Sequence, residues 1–243
     1  MNLLLLEPEE LAAEITLSGR RAGHLLRVLK VEPGSRVRLG VVNGARGFGE
    51  VLDVAGDGVR LRVGLEGETL PPPPLVLILA LPRPIMLQRV LKQATVMGMR
   101  SLHLIRSAKV EKSYFGSPAL AGDRMRALRL EGLEQAMDTR LPEAHVHRHF
   151  RPFVEDVLPG LPGRGLIAHP GAAASLADVF SPPTPDCPTL LAVGPEGGWN
   201  DFEVECFIRA GFSPFGMGPR ILHVDTAVVA LMAQIDLLRQ MRG

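Results

Sequence analysis

The chain has 243 residues, 46% of them hydrophobic, so it is long enough to bury a sizeable core in one large domain or two modest ones. Its apolar start, residues 1–7, lacks a basic segment and is too short for a secretory signal, and no later run has the length of a membrane span. Two cysteines without a C-x-x-C pair exclude a disulfide framework and a cysteine zinc site. We therefore expect a cytoplasmic protein.

The net charge of +1 hides an uneven distribution of charged residues along the chain. Residues 1–70 carry 9 basic and 10 acidic side chains, residues 71–151 carry 13 and 6, and residues 152–243 carry 5 and 10. The middle third is therefore the candidate nucleic-acid face, although a merely solvated basic surface would have the same composition.

Residues 1–70 are typical of a small β-barrel, because short segments alternate apolar and polar residues between glycine-rich turns. These segments are residues 36–40, 49–54 and 59–63, and residues 24–29 before them have helical spacing. Four prolines at 71–74 cannot donate ladder hydrogen bonds and favour a stiff rod. The sequence therefore predicts two domains, residues 1–70 and residues 75–243.

The second domain alternates strands with helices, which predicts an α/β fold with a parallel sheet. Residues 75–81 form a continuous apolar run, typical of a strand buried on both faces. Further strands are predicted at residues 102–105, 166–168 and 189–193, and helices at about 87–97, 123–137 and 226–241. Gly98 is the expected C-cap of the first helix. The last helix is apolar on nearly all sides, which indicates burial within the domain or against a second subunit.

Two glycine-rich loops carry the candidate chemistry. The first, Gly194-Pro195-Glu196-Gly197-Gly198, follows a buried strand, and Asn200 with Glu203 predicts a capping box that opens a helix. Such a loop lets the backbone approach a ligand and offers open N–H groups, although an ordinary strand-to-helix turn fits the same residues.

The second loop, residues 216–226, precedes the last helix. Gly216 and Gly218 match two glycines of a dinucleotide fingerprint, but Ile221 occupies the third glycine position, so we reject that interpretation. Asp225 is equally well explained as the N-cap of the last helix.

Three alternating histidines, His145, His147 and His149, would share one face of a strand and could resemble metal ligands. No acidic or cysteine ligand lies close to them in the pattern of a known metal site, so we expect a solvated strand face and no metal.

The order of the motifs is similar to that of a known family. Gly194 to Gly198 is followed by Glu203, by Gly211-Phe212 and by Gly218-Pro219-Arg220-Ile221-Leu222, before an alanine-containing terminal helix. Weaker matches lie elsewhere in the chain: His24 to Leu29, Ala94-Thr95 with Gly98, Glu134-Gln135 with Arg140, and His169-Pro170. On these residues the chain resembles, over nearly its whole length, the SPOUT-class uridine N3-methyltransferases of small-subunit rRNA, the RsmE family.

This resemblance implies an N-terminal PUA-like β-barrel that binds RNA and a C-terminal α/β domain with a deep trefoil knot. It also implies a homodimer, S-adenosylmethionine as cofactor and 16S rRNA as substrate. The residues that would form the cofactor pocket are Ala168, His169, Pro170, Gly194, Pro195, Glu196, Gly197, Gly198, Met217, Gly218, Ile221 and Leu222. A carboxylate such as Asp225 would accept the N3 proton of uracil, and Arg220 would stabilise the anionic ring.

The sequence departs from the family pattern at four positions. His223 and Asp225 stand where Arg and Glu are usual, and Gln93 and Val96 stand where Lys and Glu are usual. Aspartate keeps the carboxylate but shortens its reach.

The basic middle third supplies most of the candidate phosphate contacts. The residues expected to bind RNA are Arg27, Arg83, Lys92, Arg124, Arg126 and Arg129. Two rival functions remain open: an RNA-binding protein without catalytic activity, and a SPOUT enzyme that methylates another target such as a tRNA ribose 2′-hydroxyl.

Overall fold

The computed structural model describes residues 2–67, 69 and 71–242, so residue 70, where the predicted first domain ends, and Met1 lie outside the described part. The chain divides into two compact units. The N-terminal unit comprises Met1–Pro71 and Leu130–Leu141, and the C-terminal unit comprises Pro72–Arg129 and Pro142–Gly243. The return of residues 130–141 to the N-terminal unit has no signal in the sequence pattern.

The N-terminal unit is built on a five-stranded sheet of order β1-β3-β4-β5-β2. Its elements are β1 (Leu4–Leu6), β2 (Glu14–Leu17), α1 (Gly19–His24), β3 (Arg36–Val41), β4 (Arg46–Ala55) and β5 (Gly58–Glu66). Only β1 and β3 are parallel, and the other neighbours are antiparallel. The three alternating segments of the sequence thus form β3, β4 and β5, whereas β1 and β2 are too short to give a clear period.

Both faces of this sheet are covered by apolar side chains of the N-terminal unit. One face packs Leu4, Leu6, Leu39 and Leu61 into a core, with Leu25 of the wide helical turn that follows α1. On the other face, Leu3, Leu5 and Val42 pack with Leu133. This second cluster explains why residues 130–141 belong to the N-terminal unit.

The C-terminal unit alternates strands and helices as predicted. Its elements are β6 (Leu75–Ala80), α2 (Pro84–Met97), β7 (Ser101–Ile105), α3 (Gly122–Ala136, with its end in the N-terminal unit), β8 (Glu143–His147), α4 (Phe150–Pro152), β9 (Arg164–Ala168), α5 (Leu176–Val179), β10 (Thr189–Val193), α6 (Asp201–Arg209), β11 (Ser213–Phe215) and α7 (Val224–Arg242).

The six strands of this unit form one sheet of order β11-β9-β10-β6-β7-β8, and every neighbouring pair is parallel. All residues of β6 and β10 are buried, which confirms the interpretation of their continuous apolar runs. Gly98 ends α2 with φ +85°, a left-handed conformation that favours glycine.

Two expectations about single residues on helices are wrong, the N-cap role of Asp225 and the exposure of Arg129. The last helix begins at Val224, so Asp225 lies inside its first turn and is not the N-cap. Arg129 lies on the core side of α3 with Met125 and Leu128, and only 8% of it is exposed. Its guanidinium donates to the carbonyl oxygens of Met125 and Pro142, so it stabilises this unit from within and does not face RNA.

A stack of histidine rings lies on one side of β7 and β8. His103 is buried and stacks on His145 and His147, with ring centroids 4.8 and 5.3 Å apart, and its Nδ1 lies 3.1 Å from Nε2 of His147. His149 lies beyond the end of β8, at the start of α4. Among the residues described, no group of three or more potential ligands is arranged to hold a metal ion. Every helix in the described ranges is too short or too polar to span a bilayer.

We expect this histidine stack to make stability depend on pH. Burial, and then the charges of His145 and His147, lower the pKa of His103 from 6.5 to about 4. Because the unfolded chain binds this proton at a higher pH than the folded protein, the free energy of unfolding decreases as the pH falls from 6.5 to about 4. The loss reaches about 3 kcal/mol, since one pKa unit is worth about 1.4 kcal/mol.

Urea unfolding followed by fluorescence of Trp199, the single tryptophan, measures this loss in the C-terminal unit. His103→Gln should flatten the pH dependence, whereas His223→Gln, at an exposed histidine outside the stack, should keep it. A wild-type dependence in His103→Gln would contradict the assignment.

Candidate functional site

A cavity of about 240 Å³ lies in the C-terminal unit at the carboxyl edge of its sheet. Three neighbouring parallel strands, β9, β10 and β11, end there at Ala168, Val193 and Phe215. Because parallel strands end at the same edge, the segments that follow them are brought together although they are far apart in sequence.

The walls of this cavity come mainly from those three segments. All twelve residues that the sequence analysis named for the cofactor line it, and so does Arg220: Ala168, His169, Pro170, Gly194, Pro195, Glu196, Gly197, Gly198, Met217, Gly218, Arg220, Ile221 and Leu222. Val224, Ala227 and Leu231 of α7 close it on another side, together with Val193, Trp199 and Phe215.

The loop that follows β10 is held from two directions. Nζ of Lys109 donates to the carbonyl oxygens of Gly197, at 2.8 Å, and of Trp199, at 3.4 Å. On another side, the backbone N–H of Arg83, at the start of α2, donates to Oε1 of Glu196 at 3.0 Å. Gly198 turns with φ +68°, a conformation that a side chain would strain. The loop is therefore fixed by contacts that leave the cavity open.

A buried carboxylate joins this loop to the segment after β7. Glu203 is 2% exposed, and its two oxygens accept from the backbone N–H of Ala108 at 2.6 Å and of Asn200 at 3.0 Å. Oδ1 of Asn200 accepts from the N–H of Glu203 at 2.8 Å, which completes the predicted capping box. Glu203 therefore helps to cap the start of α6. It also fixes the segment after β7 relative to the segment after β10.

The cavity offers both apolar and polar surface. Met217, Ile221 and Leu222 contribute apolar side chains, and Ile221 is 77% exposed. The glycine-rich segments contribute main-chain groups, and the indole Nε1 of Trp199 is buried with no hydrogen-bond partner in the described chain. A buried donor without a partner is costly, so a ligand acceptor would stabilise it.

The two candidate catalytic residues occupy different environments. Arg220 is exposed at the cavity. Asp225 does not belong to the cavity wall; it is 8% exposed and its Oδ2 lies 3.2 Å from Nη1 of Arg89 on α2. Its Oδ1 accepts from the N–H of Thr226 at 3.0 Å. Asp225 is thus held as one partner of an ion pair beside the loop of residues 216–223.

The basic residues that the sequence analysis named for RNA differ in their exposure. Arg27 is exposed in the N-terminal unit, and Arg83 and Arg124 are exposed in the C-terminal unit, where Arg124 donates to Oε1 of Gln88 at 2.7 Å. Lys92 and Arg126 are half-buried.

Sequence reasoning missed the residues that support the cavity. Lys109 and Arg89 act through side-chain hydrogen bonds to segments 88 or more residues away, and no local sequence pattern indicates such a contact. Trp199 could have been noticed as the only tryptophan, directly after the glycine-rich loop.

Comparisons with known proteins identify the family of the chain. The RNA methyltransferase domain family matches residues 69–236. The chain is 31% identical over 249 residues to the ribosomal RNA small subunit methyltransferase E of Treponema pallidum, covering 97% of this chain and 90% of the relative. It is 28% identical to the enzyme of that name from Synechocystis, covering 97% of this chain and 77% of the relative.

Among solved structures, the ribosomal RNA small subunit methyltransferase E of Neisseria gonorrhoeae bound to S-adenosylmethionine has a TM-score of 0.79 at 21% identity, with 98% of each chain covered. That likeness shows a shared fold. Together with the domain match and the relative from Treponema, it leads to one conclusion: the chain belongs to the ribosomal RNA small subunit methyltransferase E family of RNA methyltransferases.

Proposed function

We propose that this protein transfers a methyl group from S-adenosylmethionine to N3 of a uridine in 16S rRNA of the small ribosomal subunit. The observation that carries the proposal is the cavity at the ends of β9, β10 and β11, within the segment that matches the RNA methyltransferase domain. The relative from Neisseria was crystallised with S-adenosylmethionine, which supports the same cofactor here. We propose that the protein acts in the cytoplasm, because its proposed substrate is ribosomal RNA.

The residues of the cavity fit S-adenosylmethionine chemically. Its adenine and methionine parts need apolar surface together with main-chain donors and acceptors, and the glycine-rich segments and Met217, Ile221 and Leu222 provide both. The indole Nε1 of Trp199, which has no partner among the described residues, is a further donor at the wall. When bound, S-adenosylmethionine supplies an electrophilic methyl group on a sulfonium centre.

The chain's own residues have two tasks in the reaction. Uracil N3 must lose its weakly acidic proton as it forms the bond to the methyl carbon, and we assign the acceptance of that proton to the carboxylate of Asp225. Arg220, whose guanidinium has no acidic partner among the described residues, stabilises the negative charge on the uracil oxygens. Arg89 holds the carboxylate of Asp225 in place through their 3.2 Å ion pair.

Two further features of the family are proposed for the fold. Close packing of the C-terminal segment against the loop after β9 supports a trefoil knot: the N–H of Gly216 donates to the carbonyl of Ala174, and the N–H of His169 donates to that of Phe215. The antiparallel-rich sheet of the N-terminal unit, with exposed Arg27 beside it, supports a PUA-like barrel that binds RNA.

A homodimer is supported by apolar side chains that the C-terminal unit leaves exposed. Ile85 on α2 is 59% exposed, and Leu237 and Met241 on α7 are 56% and 73% exposed. We propose that a second copy of the chain covers these exposed apolar side chains. This also accounts for a terminal helix that is apolar on nearly all sides.

Nucleoside mass spectrometry tests the reaction directly. Small ribosomal subunits that lack the modification are incubated with purified protein and S-adenosylmethionine, and the digested 16S rRNA is analysed. We expect N3-methyluridine to appear only when the cofactor is present. A methyl group on a ribose 2′-oxygen would favour the rival SPOUT reaction, and binding of rRNA without any methylated nucleoside would favour the non-catalytic function.

A second prediction concerns the loop that follows β10. A Cβ added at Gly197 would lie 3.0 Å from Cδ of Lys109, so valine there must displace Lys109 or the loop itself. Because overpacking costs about 1–3 kcal/mol, calorimetry should show an affinity for S-adenosylhomocysteine lowered by about tenfold. Gly160→Val is the matched control, because a Cβ there meets nothing within 4 Å. Unchanged affinity in a folded Gly197→Val protein would remove this loop from the cofactor site.

A third prediction separates chemistry from structure at Asp225. Asp225→Asn keeps the size of the side chain but removes the proton acceptor, so we expect kcat to fall by about 100-fold or more, as for loss of a general base. Cofactor affinity should stay within about twofold, since Asp225 is not part of the cavity wall. Asp225→Glu should retain more activity than Asp225→Asn. If both variants lose activity and stability in parallel, Asp225 is a structural partner of Arg89 only.

A further inference from the structure

We propose that a second groove of the C-terminal unit, separate from the cofactor cavity, binds a phosphate of the RNA backbone. The groove has a volume of about 430 Å³. Its lining residues include Arg106, Ser107, His149, Arg151 and Phe202. The inference deepens the proposed function, on which it rests, because it assigns a position to the RNA strand next to the cofactor.

The groove lies where two further parallel strands end. β7 ends at Ile105 and β8 ends at His147, and the residues that follow them form two of its walls. The third wall is the start of α6, with Asn200, Phe202 and Glu203. The same edge of the sheet thus forms the cofactor cavity at one end and this groove at the other.

Positive charge dominates the groove. In the part of the chain described, neither Arg106 nor Arg151 has an acidic partner, and Arg151 lies over the ring of Phe202 at 5.5 Å. His149 adds an exposed ring with polar nitrogens. Guanidinium groups that are free of carboxylates bind phosphate in a forked geometry.

The acidic groups near the groove are engaged elsewhere or point to solvent. Glu203 is the acidic residue of the lining, and both of its oxygens accept backbone hydrogen bonds, from Ala108 and Asn200. Asp201, at the first position of α6, is exposed. The charges of the two arginines are therefore not cancelled within the groove.

A buried hydroxyl indicates that the groove is built for a ligand. Ser107 is 2% exposed, it lines the groove, and its Oγ has no hydrogen-bond partner in the described structure. Leaving a buried polar atom without a partner costs about 1–3 kcal/mol, which a phosphate oxygen would offset by accepting from this hydroxyl.

An RNA phosphate fits the groove better than a free anion does. The groove is open to solvent along Arg151, and Phe202, 42% exposed beside it, offers a surface on which a base can stack. Asn200 follows Trp199, which lines the cofactor cavity, and Nζ of Lys109 joins the segment of Arg106 to the loop after β10. A strand held here is thus brought to the cavity.

The test measures RNA binding of Arg106→Ala, Arg151→Ala and the double variant to a 16S rRNA fragment over a range of salt concentrations. Each substitution should weaken binding by about tenfold and reduce the slope of log affinity against log salt by about 0.7–0.9. Arg164→Ala is the matched control, because this exposed arginine lies at the opposite edge of the same sheet. Its affinity and slope should remain close to those of the wild type.

Kinetics distinguish positioning of the RNA from a structural effect. We expect KM for RNA to rise in both arginine variants and in Ser107→Ala, while kcat at saturating RNA and the affinity for S-adenosylhomocysteine stay unchanged. Wild-type affinity and salt slope in the double variant would overturn the proposal, and so would a loss no larger than that of Arg164→Ala. Loss of cofactor affinity together with RNA affinity would also overturn it, because it would show a distorted fold.

Two further measurements, phosphate binding and methyl transfer, separate failure of the groove proposal from failure of the proposed methyltransferase function. If inorganic phosphate binds to the wild type but not to the double variant, while their RNA affinities are equal, the groove is a small-anion site and the RNA proposal is wrong. If the wild type binds RNA through these arginines but transfers no methyl group, the methyltransferase function fails while the groove assignment stands.

Discussion

The parallel alignment of six strands is the constraint on which the rest of the C-terminal unit depends. Strands that run in one direction must all end at one edge, so every segment that leaves that edge contributes to the same surface. β9, β10 and β11 are neighbours in the sheet although residues 169–188 and 194–212 separate them in the chain. Three short segments, each unremarkable alone, therefore form one cavity.

Hydrogen bonds from outside the cavity keep these segments in place. Glu203 links the start of α6 to the residues after β7, and Lys109 links those residues back to the loop after β10. The cavity and the groove therefore share their supports but not their lining. This arrangement fits a division of tasks in which one site holds a small cofactor and the other holds the RNA strand.

The sequence predicted what depends on local composition. The apolar runs of β6 and β10, the alternation in β3 to β5 and the capping box of α6 all report burial or hydrogen bonding over a few residues. The residues that line the cavity were identified through the order of their motifs, which resembles that of a known family. Local physical reasoning could not identify them alone, because glycine-rich loops are common and an ordinary turn fits the same residues.

Long-range contacts were the part that could not be predicted. Arginine is usually a surface residue, and Arg129 is buried because the fold brings the carbonyl of Pro142 to its guanidinium, in addition to the carbonyl of Met125 on the same helix. The pairing of Asp225 with Arg89 joins residues 136 positions apart, so the sequence could suggest an N-cap but not an ion pair. Leu133 packs against Leu3, Leu5 and Val42, which are distant from it in the chain, so no local pattern indicates that its segment returns to the N-terminal unit.

The central claim is that the ends of β9, β10 and β11 form the cofactor site. Hydrogen–deuterium exchange with and without S-adenosylmethionine tests it most directly, because open backbone N–H groups become protected where the cofactor binds. The account predicts protection of residues 168–170, 194–199 and 217–222, with the exchange of the N-terminal sheet unchanged. Protection confined to other segments, or no protection at a saturating cofactor concentration, would contradict it.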